Sequence, residues 1–245
     1  MSGINDSVWK SESTVAYYLE RKGSRPFLRE QIEVMLAVIK GLGSPVRRFM
    51  DLGCGDGILA AVILEEFPGS DGVLVDHSPP MLQAAETELA GFAGRIHLYE
   101  ADYGQAAWVQ SVQQYAPFEL IVSGFSIHHQ PDTSKRRLYG EIFEILGPGG
   151  MFINMEHVAS PTPRLSDLWD QIRVDSLYEL AVQRKLNKTR AAVEKEYFDR
   201  PDREANIFAS VESQGDWLRK IGYVDVDCFF KYFEFALFGG CRPLV

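Results

Sequence analysis

Apolar positions along this chain change period near residue 48. Before it, Leu28, Ile32, Met35, Leu36 and Ile39 recur at three-and-four spacing behind Pro26, which predicts a helix from about Pro26 to Gly41. After it, short apolar runs closed by an acid or a small residue alternate with helical stretches. Arg48–Leu52, Gly72–Asp76, Ile96–Tyr103, Phe118–Gly124 and Met151–Glu156 read as five strands. The apolar faces between them are Ile58, Leu59, Val62 and Ile63, then Met81, Leu82, Ala85 and Leu89 behind the cap Ser78-Pro79-Pro80, and then Leu138, Ile142, Ile145 and Leu146. Strands that alternate with helices predict a doubly wound parallel sheet, with the fourth strand beside the first. A helix through Trp217, Leu218 and Ile221 and two strand-like runs, Val224–Phe230 and Lys231–Phe238, close the chain.

Residues 157–209 break this rhythm. Leu165, Leu168, Trp169, Ile172, Leu177, Tyr178 and Leu180 predict helices there, after the punctuation Ser160-Pro161-Thr162-Pro163. The basic run Arg184–Arg190, with Glu194 and Glu196 after it, reads as a solvated helix face. Tyr17, Tyr18, Leu19, Arg21 and Arg25 make the segment before the first long helix both aromatic and basic.

With 245 residues and 46% hydrophobic content, the chain can bury the core of one α/β domain and still form a cap. Its net charge of -9 opposes attraction to a phosphate backbone, so a nucleic-acid substrate is disfavoured. Cys54, Cys228 and Cys241 have neither metal-ligand nor disulfide-framework spacing, so no metal site is expected and a reducing cytoplasm fits. No secretory pattern opens Met1–Lys10, and no membrane-length apolar run occurs. A monomer or homodimer acting on a small molecule is the expectation.

The richest chemistry lies in Asp51-Leu52-Gly53-Cys54-Gly55-Asp56-Gly57, where a strand ends in an acid and three glycines alternate. Glycines here permit a tight turn and close backbone approach to a ligand. A dinucleotide fingerprint needs a further glycine at position 58, which is Ile58, and this weakens the NAD reading. Asp76 ends the second strand and suits bidentate acceptance from a ribose diol. Beyond the fourth and fifth strands lie Phe125, His128, His129, Glu156 and His157, where the histidines read either as bases or as packing residues.

The glycine loop resembles motif I of the Rossmann-like, S-adenosylmethionine (SAM) dependent methyltransferases of class I, and Leu146-Gly147-Pro148-Gly149-Gly150 resembles a second hallmark of that family. The resemblance implies a seven-stranded sheet of order 3-2-1-4-5-7-6 with its last strand antiparallel, a helical N-terminal lid (1–45), a SAM-binding core (46–156), a helical cap (157–209) and a closing helix and hairpin (210–245). It implies SAM as cofactor and S-adenosylhomocysteine as product. Asp51 would lie near the SAM amino group, Asp76 on the ribose and Asp102 and Tyr103 at the adenine. Gly53, Cys54, Gly55, Gly57, His77, Met81, Ser123 and Gly124 complete the expected cofactor set, and His128, His129 and Tyr18 are the catalytic candidates. Trp217–Phe238, with Tyr232-Phe233-Glu234-Phe235, resembles the C-terminal part of the carboxy-SAM synthases, which convert SAM and prephenate for a tRNA wobble-uridine modification. That likeness places Arg200, within Phe198–Arg203, near an arginine that holds the new carboxylate. Gly124 and Leu28 or Phe27 depart from the synthase pattern, so methyl transfer to a small molecule is the leading reading. A SAM-binding protein without catalysis is the third.

Overall fold

The computed structural model describes residues 9–21, 25–41, 45–200 and 202–245, without the side chains of Tyr17 and Arg21. Parts of the expected N-terminal lid, including the Tyr17 and Arg21 side chains of its aromatic and basic segment, therefore lie outside the described residues. Seven strands, β1 (Arg48–Leu52), β2 (Asp71–Asp76), β3 (Ile96–Glu100), β4 (Phe118–Gly124), β5 (Leu146–His157), β6 (Val224–Tyr232) and β7 (Phe235–Cys241), form one sheet. Its order is β3-β2-β1-β4-β5-β7-β6, as expected. β1 to β5 pair in parallel, and β7 runs antiparallel to both of its neighbours.

Strand alternation explains why both faces are covered. Met50, Leu52, Val73, Val75, Ile121 and Phe152 point to one side, against α6 (Asp132–Ile145) and α9 (Val211–Ile221). Phe49, Leu74, Leu120, Val122, Ile153 and Met155 point to the other, against α2 (Leu28–Gly41), α3 (Ile58–Glu66) and α4 (Pro79–Glu88). Each such side chain contributes roughly 1.5–3 kcal/mol when buried, so a one-residue slip in register would move a whole face to the wrong layer. α7 (Pro163–Gln183) and α8 (Arg190–Phe198) pack on each other through Val174, Leu177, Ala181, Val193 and Tyr197. α1 (Glu12–Arg21) and the short α5 (Trp108–Val112) complete the helices of the described residues.

Four boundaries differ from the sequence expectation, each for a local reason. β3 stops at Glu100 rather than Tyr103, and two residues on the Asp102 carboxylate accepts the Gly104 N–H at 2.7 Å and turns the chain. β5 begins at Leu146 and takes in the Gly-Pro-Gly-Gly turn, because Leu146 pairs with Phe118 across a register shift before Met151 meets Leu120. The closing hairpin turns at Phe233 and Glu234, where Phe233 adopts a φ of 51°, and not between Phe230 and Lys231. The basic run expected on a helix face is, from Arg184 to Thr189, the connector between α7 and α8; only Arg190 enters a helix, and Thr189 caps α8 by accepting the Ala192 N–H at 3.2 Å.

Candidate active site

β1 to β5 are parallel, so their following loops converge on one edge of the sheet, where a crevice forms. The glycine loop after β1 builds its floor. A Cβ on Gly53 would lie 1.9 Å from Ser126 Oγ, and one on Gly57 would lie 2.7 Å from Leu89 Cδ1. At Gly55, with φ of 54°, the nearest atom is Met81 Sδ at 4.0 Å. Gly53 and Gly57 therefore let the loop close on its neighbours, whereas Gly55 presents bare backbone to the crevice.

The acids of the crevice are placed by strand parity. Asp51 points toward α3 and accepts the Ala60 N–H at 3.1 Å, which satisfies a donor of the first helical turn. Only 1% of Asp51 is exposed, and this burial pushes its carboxyl up to about 8; the Ala60 hydrogen bond opposes the shift, and Asp76 and Asp56 add to it. Asp76 accepts the Gly55 N–H and the Ser78 N–H, each at 2.9 Å, pinning the glycine loop to the start of α4. Burial raises its carboxyl as well. A cleft with Asp51, Asp56 and Asp76 in its wall suits a ligand that carries positive charge and hydroxyl donors, and SAM has both.

Of the other residues expected at the cofactor, Gly53, Cys54, His77, Met81, Tyr103 and Gly124 line this cleft. Tyr103 ties two loops together, its hydroxyl donating to the Ser126 carbonyl at 3.0 Å. Three other residues expected at the cofactor, Ser123, Gly57 and Asp102, do not line the cleft. Ser123 is fully buried and donates to the Leu52 carbonyl at 2.7 Å, bracing β4 against β1. Gly57 serves the packing of α4 and does not line the cleft, and Asp102 is taken up by its turn. The sequence reading missed Trp9, Arg25, Asp56, Ser126 and Met155, which come from separate segments and share no motif. Asp56 had a signal, since it stands inside the glycine loop itself.

A second cavity adjoins the first and shares Trp9, Tyr18, Arg25, Phe125 and His129 with it. The catalytic candidates Tyr18, His128 and His129 all line it, as does His157. Tyr18 meets Trp9 edge-on at 5.5 Å, and the His128 and His129 rings lie 4.0 Å apart. Glu156, buried at the end of β5, organises this cluster. Its Oε2 accepts the His128 backbone N–H at 2.9 Å, its Oε1 accepts the His157 N–H at 2.8 Å, and Oε1 also faces His128 Nδ1 at 2.6 Å. The carboxylate therefore selects the tautomer with the proton on Nδ1 and leaves Nε2 as the basic nitrogen.

The neighbouring imidazoles stay neutral. Burial, and then His128, holds His129 well below the usual histidine range, with Nδ1 3.3 Å from the Ala205 carbonyl. Burial does the same to His157, whose Nε2 lies 2.8 Å from Glu234, itself raised by burial. Among the described residues no His, Cys, Asp and Glu group has the makings of a metal site, and no helix is long and apolar enough to cross a membrane.

Comparison with known proteins matches residues 49–150 to a methyltransferase domain. Over 215 residues the chain is 18% identical to a carboxy-S-adenosyl-L-methionine synthase of Nautilia profundicola, covering 88% of this chain and 86% of the relative. Over 110 residues it is 36% identical to a demethylmenaquinone methyltransferase of Leptospira interrogans, spanning 44% of this chain and 41% of that one. An O-methyltransferase family protein from Burkholderia thailandensis superposes with a TM-score of 0.67 at 16% identity, over 99% of this chain and 64% of the other. Residues 49–150 thus match a methyltransferase domain, and the sheet built around them has the Rossmann-like fold of the solved methyltransferase structure.

Proposed function

We propose that the chain holds SAM in the acidic cleft and transfers its methyl group to a small-molecule nucleophile in the adjoining cavity, with His128 as general base. The observation that carries this reading is the common wall of the two cavities at Tyr18, Phe125 and His129, beside a histidine whose Nδ1 is already engaged by Glu156. Bound SAM supplies a methyl group on a sulfonium sulfur, which departs with the bonding electron pair as S-adenosylhomocysteine. The chain's own part is mainly positioning, which is worth roughly 7–11 kcal/mol for well-oriented partners.

Asp76 has lone pairs left that would hold the ribose hydroxyls, Asp51 would hold the amino group, and the bare Gly55 backbone would admit the methionine part. His128 Nε2 takes the proton of a hydroxyl, amine or thiol as the methyl arrives, and Glu156 stabilises the resulting imidazolium. In this reading the described part of the N-terminal segment, 9–21 and 25–41, covers a core of 46–156, residues 157–209 shape the acceptor cavity, and residues 210–245 complete the sheet.

Incubation with SAM and a metabolite pool, read by S-adenosylhomocysteine release, tests the proposal. Turnover should appear in the native chain and fall sharply in His128→Ala with nucleoside affinity unchanged; equal turnover in both would remove His128 from the chemistry.

Carboxy-SAM synthesis is the second reading, favoured by the extent of alignment. Synthases of Nautilia profundicola, Shewanella amazonensis and Aeromonas salmonicida match along 88%, 79% and 78% of this chain, whereas the demethylmenaquinone methyltransferases of Leptospira interrogans and Thermus thermophilus match along 44% and 51%. Arg200 also lines the acceptor cavity. Mass spectrometry of the nucleoside formed from SAM with prephenate decides between them: a carboxylated product replaces the first reading, and SAM returned unchanged under every condition leaves a binding protein.

A further inference from the structure

Resting on the methyl-transfer reading, we propose that the acceptor carries, besides its nucleophile, a carboxamide-like edge: an oxygen that accepts from the Trp9 indole and an N–H that donates to the Asn206 side-chain oxygen. Trp9 Nε1 and Asn206 Oδ1 are buried and have no hydrogen-bond partner among the described residues. Buried polar atoms are nearly always paired, so each exception asks for a cause. Three other such atoms, on Gln31, Asn154 and Arg203, belong to residues that line neither cavity, whereas Trp9 and Asn206 both line the acceptor cavity.

The two atoms have opposite roles. An indole N–H only donates, and an amide oxygen only accepts. They also flank one side chain. The Trp9 and His129 ring centres lie 5.4 Å apart, and the carbonyl of Ala205, the residue before Asn206, lies 3.3 Å from His129 Nδ1. One small group beside His129 can therefore serve both, provided that it accepts on one side and donates on the other. A carboxamide spreads those tasks over two neighbouring atoms, as two side chains from separate segments require; an ester can only accept.

Both residues are anchored before any ligand arrives. The Ile207 N–H donates to the His128 carbonyl at 2.9 Å, and the buried Lys135 donates to the Ile207 carbonyl and to Asp132, which ties the segment of Asn206 to α6. The Trp9 carbonyl accepts the hydroxyl of Ser78, the cap of α4, and its ring meets Tyr18 edge-on. Anchoring of this kind limits the entropy lost on binding. Methyl transfer itself uses neither orphaned atom, so the group that pairs them belongs to the ligand, toward which a small rotation about either Cβ–Cγ bond turns them.

The test is equilibrium binding, which needs no turnover. Protein saturated with S-adenosylhomocysteine is titrated calorimetrically with 3- and 4-hydroxybenzamide, with the methyl esters of 3- and 4-hydroxybenzoic acid, and with p-cresol. In at least one of the two positions the amide should bind about tenfold or more tightly than its ester, because the ester leaves Asn206 unpaired. Asn206→Leu should abolish that advantage, and Asn206→Asp, whose oxygens still accept, should keep it. Should Asn206→Leu fail to fold, Asn206→Ala reads the same loss. Trp9→Phe should weaken amide and ester severalfold alike and leave p-cresol unchanged. Equal binding of amide and ester in both positions, binding of none, an advantage that survives in the folded Asn206→Leu or Asn206→Ala, its loss in Asn206→Asp, or a Trp9→Phe variant that binds as the native chain does overturns the proposal. The initial titration with S-adenosylhomocysteine separates the two levels: tight nucleoside binding without amide preference removes only the carboxamide, whereas no nucleoside binding removes the cofactor reading beneath it.

Discussion

The acidic cleft and the adjoining cavity meet at Phe125 and His129, yet they are built by different means. The cleft is made of backbone: a glycine loop pinned by Asp76, with acids fixed at the ends of β1 and β2. The cavity is made of side chains that α1, the 3-10 turn Ile127–His129, α7, α8 and β7 contribute one or two at a time. Backbone geometry suits a ligand that is always the same, and side chains suit one that differs between relatives of one fold.

The sharpest way to break this comparison is to disable one region and watch the other. His128→Ala should lower kcat by about 10²–10⁴, the usual contribution of a general base, with nucleoside affinity unchanged in a binding titration. A joint loss of affinity would mean that the two regions are not separable. Asp76→Ala should weaken SAM binding by about 1.5–3 kcal/mol, since a charged acceptor and its pinning of Gly55 are both lost; calorimetry reads this directly.

Asp51 sharpens the charge side of the comparison. Its folded-state value near 8 lies above the ordinary 3.8, so folding takes up a proton; the stabilisation this gives is fully present below about 3.8 and is lost as pH rises to about 8. Asp51→Asn keeps an acceptor for Ala60 but cannot ionise. Its melting temperature should therefore gain on that of the native chain between about pH 5 and about pH 8.5, and added S-adenosylhomocysteine, whose amine offsets the Asp51 charge, should shrink the gain. The smallest effect belongs to Ser123→Ala, which loses the bond to Leu52 and should cost about 1 kcal/mol of stability in denaturant titration while SAM affinity stays the same.

The same contrast governs what was legible in the sequence. The cleft could be read because Asp51, the glycines and Asp76 are fixed by short-range chain geometry, and the strands around them repeat one pattern. Ser123 stands near the end of a strand, where ligand contacts gather, but parity turns its hydroxyl toward the Leu52 carbonyl, which a single sequence does not reveal. Asp102 accepts the Gly104 N–H within its own turn, beside the cleft and not in its lining. Arg173 gave no signal at all: within Gln171–Leu177 it is one polar position of an amphipathic helix, and only the packing of α7 against β7 reveals that it faces the cavity. The pairing of His128 with Glu156 spans 28 residues, so both could be named as candidates but not joined.

The most direct test of the central claim is native mass spectrometry of the protein before and after SAM is added, with Asp76→Ala alongside. The account predicts one SAM or S-adenosylhomocysteine per native chain and its loss from the variant. A native chain that carries no nucleoside, or a variant that holds it equally well, would contradict the account.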